Sequence, residues 1–415
     1  MSNDLDPKQV SKYSKAVLST AAPDTESPLE SLSPGSEGLE SQLESILEWM
    51  PDAGDRREEI ATAIDHLRTN TELDARDLGA LEAIILPTSR PVSDIRKGKI
   101  VKLPAGEFRS IMTDAATKAR VETAIASVGC ILVPSDPHIP YGGTGFVVGP
   151  GLVMTNRHVA RIFADGLGIN QRVRLLDKTS AAFNPLREDA SAKDQTFAVK
   201  AVRMIHPYWD MALLEVPDLQ IAPLRLASLD PEGPKRKVVV VGYPAFDPRN
   251  NTEVQNTVFH NRFFVKRLSP GYVNGRRIIS SFENQVNAAT HDASTLGGNS
   301  GSAIIDVETG CVIALHFAGL YLDSNFAVPV SELAKDSRVI DAGVSFAPPA
   351  RAGTISWQNR WDIADESPSM SRTSLAGSID GGSVGNGATV RVTIPIELTV
   401  RVGQVVTVDP SKTGG

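Results

Sequence analysis

Cysteine is nearly missing: Cys130 and Cys311 are the two in 415 residues. So sparse a count excludes a disulfide-stapled scaffold and a metal site built from paired thiolates. Both lie in apolar runs, VGCILV and GCVIAL, and read as buried reduced thiols, with a single disulfide between them as the alternative. No HExxH motif is present either, so no metal is expected. Positive charge is also in short supply. Lys and Arg number 42 against 49 Asp and Glu, a formal net charge of -7. That balance disfavours nucleic acid or an anionic membrane as partner, since both need basic patches. Long apolar runs are missing too. None reaches the roughly 18 residues that span a bilayer. The first 27 residues, MSNDLDPKQVSKYSKAVLSTAAPDTES, carry no apolar core of the kind a secretory leader needs. The expected location is the cytoplasm.

What is present divides into zones. Residues 1–38, rich in Ser, Pro, Asp and Glu, read as a disordered tail. Residues 39–87 turn helical in pattern: Leu39, Leu43, Ile46 and Met50, then Ile60, Ile64 and Leu67, then Leu78, Leu81 and Ile85. Pro51 and Pro87 close the first and third of these segments. Such a module is either a structural cap or prosegment, or a docking unit. Residues 88–118 read as a linker or extended strap. From 119 to 338 short Val, Ile, Leu and Phe runs recur about every ten residues between Gly, Pro, Asn and Asp, the texture of a sandwich or of small barrels. Residues 339–387 read as a flexible linker. Over 388–415, Val390, Val392, Ile394, Ile396, Leu398, Val400 and Val402 alternate strictly, predicting a half-buried strand with Pro395 at an edge or bulge.

Three segments within 119–338 carry chemistry. GTGFVVGPGLVMTNRHVA (143–160) delivers His158 just after a strand. HPYWDMALLEV (206–216) sets Asp210 at the start of a buried one. HDASTLGGNSGSAIID (291–306) flanks Ser300 with Gly298 and Gly301. Acyl transfer needs these residue types together. A serine hydroxyl is a weak nucleophile until an imidazole takes its proton. A buried carboxylate fixes the imidazole tautomer and stabilises the imidazolium. The backbone N–H groups of Gly298 and Ser300 are the natural donors to the tetrahedral oxyanion, and losing one such donor costs about 3 kcal/mol of barrier. Taken singly, His158 reads equally as a polar residue at a barrel mouth, Asp210 as a turn residue and Ser300 as part of a Gly-rich turn. All three in order, 52 and 90 residues apart, are hard to explain that way.

The order His, Asp, Ser, with TNRHV, WDMALLEV and GGNSGS, resembles the chymotrypsin-like serine proteases, most closely the bacterial trypsin-like and glutamyl endopeptidase branch. GYP at 242–244 and APLRLAS at 222–228 fit the second barrel of that group. The resemblance covers about residues 120–335. It implies a mostly β fold, a chymotrypsin-like double β-barrel, here with a small N-terminal helical module and a β-rich C-terminal extension. It implies peptide-bond hydrolysis through an acyl-serine at Ser300, with no cofactor and with a protein or peptide as substrate.

Two departures from the family pattern are informative. Asn299 stands where secreted zymogens of the family carry an aspartate that pairs with a newly cut N-terminal amine, so activation by that ion pair is not expected. Ser294, six before the nucleophile, stands where Lys- or Arg-directed members carry an aspartate. Thr295 and His316 match the threonine and histidine of glutamyl endopeptidases. The expected specificity pocket is therefore Ser294, Thr295 and His316. It suits either an acidic side chain or, with His316 as plain pocket wall, no acidic preference at all. His291 reads as an exposed loop residue, with a place at the pocket entrance as the alternative, His206 before Pro207 as a turn, and Phe146 and Val148 as core.

The arrangement also resembles bacterial proteases whose N-terminal helical segments act as adaptors in defence systems, which implies cleavage of one partner protein under control of residues 39–87. The rival readings are a catalytically silent peptide-binding barrel, an esterase on the same triad, and an HtrA-type stress protease. Residues 340–415 are too short for the PDZ domain that the last usually carries.

Overall fold

The valine and isoleucine runs fold as strands whose alternate side chains serve two different cores. A computed structural model describes residues 90–366, apart from 104–105, 136–140, 189–194, 231–234, 247–251, 283 and 321–323. The tail 1–38, the helical module 39–87 and the C-terminal extension 388–415 lie outside the described residues.

The first half is an eight-stranded antiparallel sheet. Its spatial order is Phe197–Ala198, Ala182–Asn184, Val128–Leu132, Tyr141–Gly149, Leu152–Thr155, Ala212–Glu215, Ala201–Ile205 and Gly168–Ile169. In the second half, Arg236–Gly242, Ala303–Asp306, Val312–Leu320, Ser324–Pro329, Asn284–His291 and Arg267–Ser281 are neighbours in that order. Arg236–Gly242 also pairs with Arg267–Ser281, so these six strands close into a barrel and leave no free edge among themselves.

Period-two alternation sorts the side chains. In the second barrel, Val238, Val240 and Ile304 join one buried cluster, while Val239, Val241 and Ile305 join another. The latter is shared with Cys130, Phe146, Val148, Met154, Met211 and Leu213 of the first sheet, whose alternate residues Ile131, Val147, Val153, Ala212 and Leu214 form a core of their own. This shared layer clamps the two halves together. Cys130 and Cys311 are buried and not joined in a disulfide.

Two stretches differ from their sequence-based reading. The described part of 88–118, expected to be linker or strap, is built into the fold. Ser93–Arg96 pairs with Arg267 and Leu268 and also with Lys99–Ile100, and helix Ala115–Ile125 buries Val121, Ala124 and Ile125. Residues 339–366, expected to be flexible, include the helix Gln358–Glu366, with Trp357 and Trp361 buried. In both places local composition is polar. The ordering comes from a docking surface far away in sequence, and burying one large aromatic outweighs many loop-like neighbours.

Lys266 is a buried cationic staple at the seam. It is 1% exposed, and its Nζ donates to the carbonyls of Ile125 (3.1 Å) and Pro185 (2.6 Å). Burial lowers its pKa from 10.5 to about 8. Between those values the unfolded chain holds a proton that the folded one has released, so stability climbs with pH. From about pH 7.5 to 9.5 the gain attributable to Lys266 is about 2 kcal/mol. Urea unfolding across that range should show this rise in the wild type and lose it in Lys266→Met. Parallel pH profiles for the two proteins would contradict the assignment.

Candidate active site

His158 and Asp210 emerge from adjacent strands of the first sheet. Thr155, the last residue of Leu152–Thr155, lies opposite Ala212, the first of Ala212–Glu215. The strands are antiparallel, so the chain after Thr155 and the chain before Ala212 leave at the same end. His158 sits in the short helix Arg157–Ala160, three residues beyond Thr155, and Asp210 lies two before Ala212. Asp210 is 4% exposed. Its Oδ2 is 2.7 Å from His158 Nδ1, and its Oδ1 accepts the His158 backbone N–H at 3.0 Å. The carboxylate thus fixes the ring and also takes one of the free N–H groups at that helix start. Asn156, which precedes the helix, makes no side-chain cap and instead donates from Nδ2 to the Asp210 carbonyl (2.8 Å).

The Asp210 segment is braced from behind. His206, read from the sequence as a turn residue, is fully buried and accepts at Nδ1 from the N–H groups of Tyr208 and Trp209. Its Nε2 donates to Asp336 Oδ2 (3.2 Å), which also receives Trp361 Nε1 (2.6 Å). These bonds require the neutral Nε2–H tautomer. Burial lowers the His206 pKa against the pull of Asp336. At Asp336 burial acts upward, but the hydrogen bonds from His206 and Trp361 outweigh it and hold the carboxyl below its usual value. Trp357 stacks on Tyr208, centroids 5.0 Å apart, and meets Trp209 edge-on.

Ser300 sits in a tight turn leading into Ala303–Asp306. The first sheet grips this turn through Thr144. The Thr144 N–H donates to the Ser300 carbonyl (2.8 Å), and its Oγ1 donates to the Gly298 carbonyl (2.8 Å) while accepting from Tyr243 N (3.1 Å). Tyr141 Oη donates to the Tyr243 carbonyl and lies 3.1 Å from the Gly298 oxygen. The Ala245 N–H holds the Gly297 carbonyl (2.6 Å), turning the Gly298 N–H the other way. Among the described residues neither the Gly298 nor the Ser300 N–H donates to a backbone carbonyl. Gly298 and Gly301 have φ of +83° and +90°, which glycine adopts without strain. Gly143 is packed tightly: a Cβ there would lie 2.8 Å from the Ser300 oxygen and 3.0 Å from Val159, the residue after His158. These contacts bring the Ser300 turn and the His158 helix side by side. Asn299 is buried, its Oδ1 accepting from Ser302 Oγ at 3.3 Å.

The expected pocket residues are drawn together around strand Val312–Leu320. His316 is buried beside the nucleophile turn, its carbonyl accepting the Gly301 N–H (2.9 Å) and its N–H donating to Ser302 (3.0 Å). His291, expected in an exposed loop, is instead the buried last residue of Asn284–His291, and its Nε2 lies 3.0 Å from His316 Nδ1. Burial lowers the His291 pKa to about 3. It drives that of His316 well below the usual imidazole value, aided by His291 and His158. Both rings are neutral at physiological pH. Thr295 Oγ1 lies 2.6 Å from Asn325 Oδ1, and Asn325 Nδ2 donates to the Ala293 carbonyl (2.9 Å). Ser294 directs its hydroxyl away, to the carbonyl of Arg90 (2.8 Å).

Sequence reasoning missed Tyr141, Thr144, Arg90, Asn325, Asp336 and the partnership of His291 with His316. For His291 the alternating strand NQVNAATH gave a readable signal; for the others the partner is too distant in sequence. A shallow cleft of about 770 Å³ lined by Pro150, Arg203, Glu215 and Ile221 contains none of His158, Asp210 or Ser300.

Residues 143–315 match the family model of the trypsin-like peptidase domain. A probable serine protease of Lysobacter enzymogenes is 28% identical over 292 residues, covering 63% of this chain and 75% of that protein. Among solved structures, the active form of the Rv3671c protease from M. tuberculosis is 22% identical with a TM-score of 0.39, covering 59% of this chain and 89% of that one. Deg5 is 19% identical with a TM-score of 0.36, covering 53% of this chain and 91% of its own.

The packing of the nucleophile turn makes a direct prediction. A Cβ at Gly301 would fall inside the contact distance of the Thr144 carbonyl and lie 2.7 Å from Thr155 Oγ1, on a backbone with positive φ. Gly301→Ala should therefore destabilise the protein by about 3 kcal/mol or more. Chemical unfolding of the two proteins tests this, and a loss under about 1 kcal/mol would mean the turn yields easily.

Proposed function

This chain carries a trypsin-like peptidase domain and is a serine peptidase, and on that premise we propose that Ser300 is its nucleophile, His158 its general base and Asp210 the residue that orients the base. The observation that carries the reading is the 2.7 Å bond from His158 Nδ1 to a buried Asp210 carboxylate, beside a serine turn whose Gly298 and Ser300 N–H groups are not spent on backbone carbonyls.

Asp210 keeps the proton on Nδ1, leaving the Nε2 lone pair to take the Ser300 hydroxyl proton as Oγ attacks the scissile carbonyl. Charge collects on the carbonyl oxygen, which the Gly298 and Ser300 N–H groups receive. Collapse of the tetrahedral intermediate breaks the C–N bond, and His158 returns its proton to the leaving amine. Water, deprotonated by the same imidazole, then releases the acyl group from Ser300. The His158 side chain is 39% exposed, which leaves Nε2 room to meet substrate and water.

For specificity, we propose a pocket bounded by Thr295, Asn325 and His316 that takes a polar, hydrogen-bonding side chain such as glutamate or glutamine. With Ser294 in place of an acid and His316 uncharged, a Lys or Arg side chain finds no counter-ion there. A neutral His316 whose Nδ1 accepts from His291 offers Nε2–H to a side-chain oxygen. We further propose that the natural substrate is one partner protein and that residues 39–87 govern access to it. A chain starting at residue 88 is the proper comparison, because a start at 119 would remove strand Ser93–Arg96.

Covalent labelling by a fluorophosphonate tests the core of this reading. The wild type should label at Ser300, and Ser300→Ala should not label and should lose roughly 10⁴-fold or more of its peptidase activity. In a peptide panel differing at the residue before the scissile bond, Glu and Gln should be preferred over Lys. His316→Ala should reduce kcat/KM on the preferred peptide by about 10-fold to 100-fold. A folded wild type that fails to label would sink the enzymatic reading. A preference for Lys would overturn the pocket.

A further inference from the structure

We infer that Arg90 is a positioning residue for specificity: its buried guanidinium holds in place the wall of the substrate pocket, from a segment that lies outside the stretch matched by the family model. The inference rests on the pocket proposed above.

Arg90 is 1% exposed. A buried cation is tolerated only where it is paired and hydrogen-bonded, and Arg90 is paired twice. Its Nη1 is 2.7 Å from Glu107 Oε1, and its Nη2 is 2.7 Å from Asp292 Oδ2. The guanidinium also lies 5.5 Å from the ring centroids of both Phe108 and Tyr272. Each carboxylate is held from its other side. Tyr272 Oη donates to Glu107 Oε2 (2.9 Å), while Tyr272 N (2.7 Å) and Asn274 Nδ2 (3.2 Å) donate to Asp292.

The point of contact gives this network its function. Asp292 and Ser294 bracket Ala293, and the Ser294 hydroxyl donates to the Arg90 carbonyl at 2.8 Å. One residue therefore secures the loop at two positions, by its side chain at 292 and its backbone at 294. From there the path is short. The Ala293 carbonyl receives Asn325 Nδ2, Asn325 bonds Thr295, and both Asn325 and Thr295 belong to the pocket proposed above. The Ser300 turn is fixed separately, by Thr144 and by the His316 backbone. Arg90 is thus tied to the side that selects substrate, while other residues hold the side that performs the chemistry. Removing the guanidinium would leave Glu107 and Asp292 as neighbouring carboxylates behind the wall, and their repulsion would push loop 292–295 out of register.

The two sides can be read separately in the full-length protein. A small fluorophosphonate reports the nucleophile, base and oxyanion donors. A peptide reports the pocket as well, so the probe is the panel peptide that the wild type cleaves fastest. Arg90→Met should label within about 3-fold of the wild-type rate, while KM for that peptide rises at least about 10-fold. Arg90→Lys, which can keep one ion pair, should fall between. Glu107→Gln should shift KM in the same direction by less. Those last two variants decide the matter if Arg90→Met does not fold. Equal losses in labelling and in peptide cleavage would make Arg90 a general structural residue, and unchanged KM in Arg90→Met and Arg90→Lys would give it no part in the pocket. Either result overturns the inference. A folded wild type that does not label would instead remove the peptidase reading on which it rests.

Discussion

The grip of Thr144 on the turn around Ser300 is the constraint on which the active site depends. Thr144 belongs to the first half of the molecule and Ser300 to the second. Three of its backbone and side-chain groups are committed at once: N–H to the Ser300 carbonyl, Oγ1 to the Gly298 carbonyl, and its own carbonyl to Thr155 Oγ1 at 2.7 Å. Thr155 ends the strand that leads to His158. A single buried residue therefore ties the Ser300 turn to the strand that leads to His158, largely through main-chain atoms that have no rotamers to lose. Hydrogen bonds of this kind contribute only about 1 kcal/mol each net, but a buried donor or acceptor left unpaired costs more, so the set is held or lost together. The close approach of Gly143 and Gly301 is what lets the two halves come near enough for the grip to exist.

Around that grip the protein keeps its buried histidines neutral and its buried cations paired. His206 can hold the Asp210 segment only as the Nε2–H tautomer, because its Nδ1 is spent on two backbone donors. His291 and His316 share a bond that needs one lone pair and one proton, which two charged rings cannot supply. Burial enforces both conditions through the same desolvation penalty. Arg90 avoids that penalty with two carboxylates. Lys266 meets it less completely, with carbonyl oxygens, and its lowered pKa is the mark of that difference. The negative charge beside His158 is thus local, from Asp210.

Much of this is legible in the sequence, and the reason is the same in each case. His158, Asp210 and Ser300 lie next to strands whose alternation is visible within ten residues, and glycine marks the turns where backbone must come close. The division into two β halves has its origin in the same short-range texture. The features that escape a sequence reading are set by distance along the chain. Arg90 meets Asp292 across 202 residues and His206 meets Asp336 across 130. Nothing in the composition of 88–118 or 339–366 distinguishes a linker from a segment with a surface waiting for it. His291 escapes for a different reason: a histidine beside an aspartate looks solvent-facing, whereas here each has a buried partner of its own.

The two segments that read as linkers have a common feature. Both lie outside residues 143–315, the stretch that matches the trypsin-like peptidase model. Both pair with strands, Ser93–Arg96 with Arg267–Ser281 and Phe346–Ala347 with Leu226–Ala227, and both also reach a loop of the proposed site. The N-terminal one reaches loop 292–294 through Arg90. The C-terminal one reaches the Asp210 segment through Trp357, Trp361 and Asp336. Both also add to the apolar layer that the two halves share, through Ile95, Phe108 and Ile111 on one side and Val344, Trp357 and Trp361 on the other. Loops carry their backbone groups at the surface and gain order only from what packs on them. The strands carry the grip on Ser300, while loop 292–294 and the Asp210 segment are packed by chain from either side. Residues on both sides of the stretch 143–315 therefore pack against the segments that surround His158, Asp210 and Ser300.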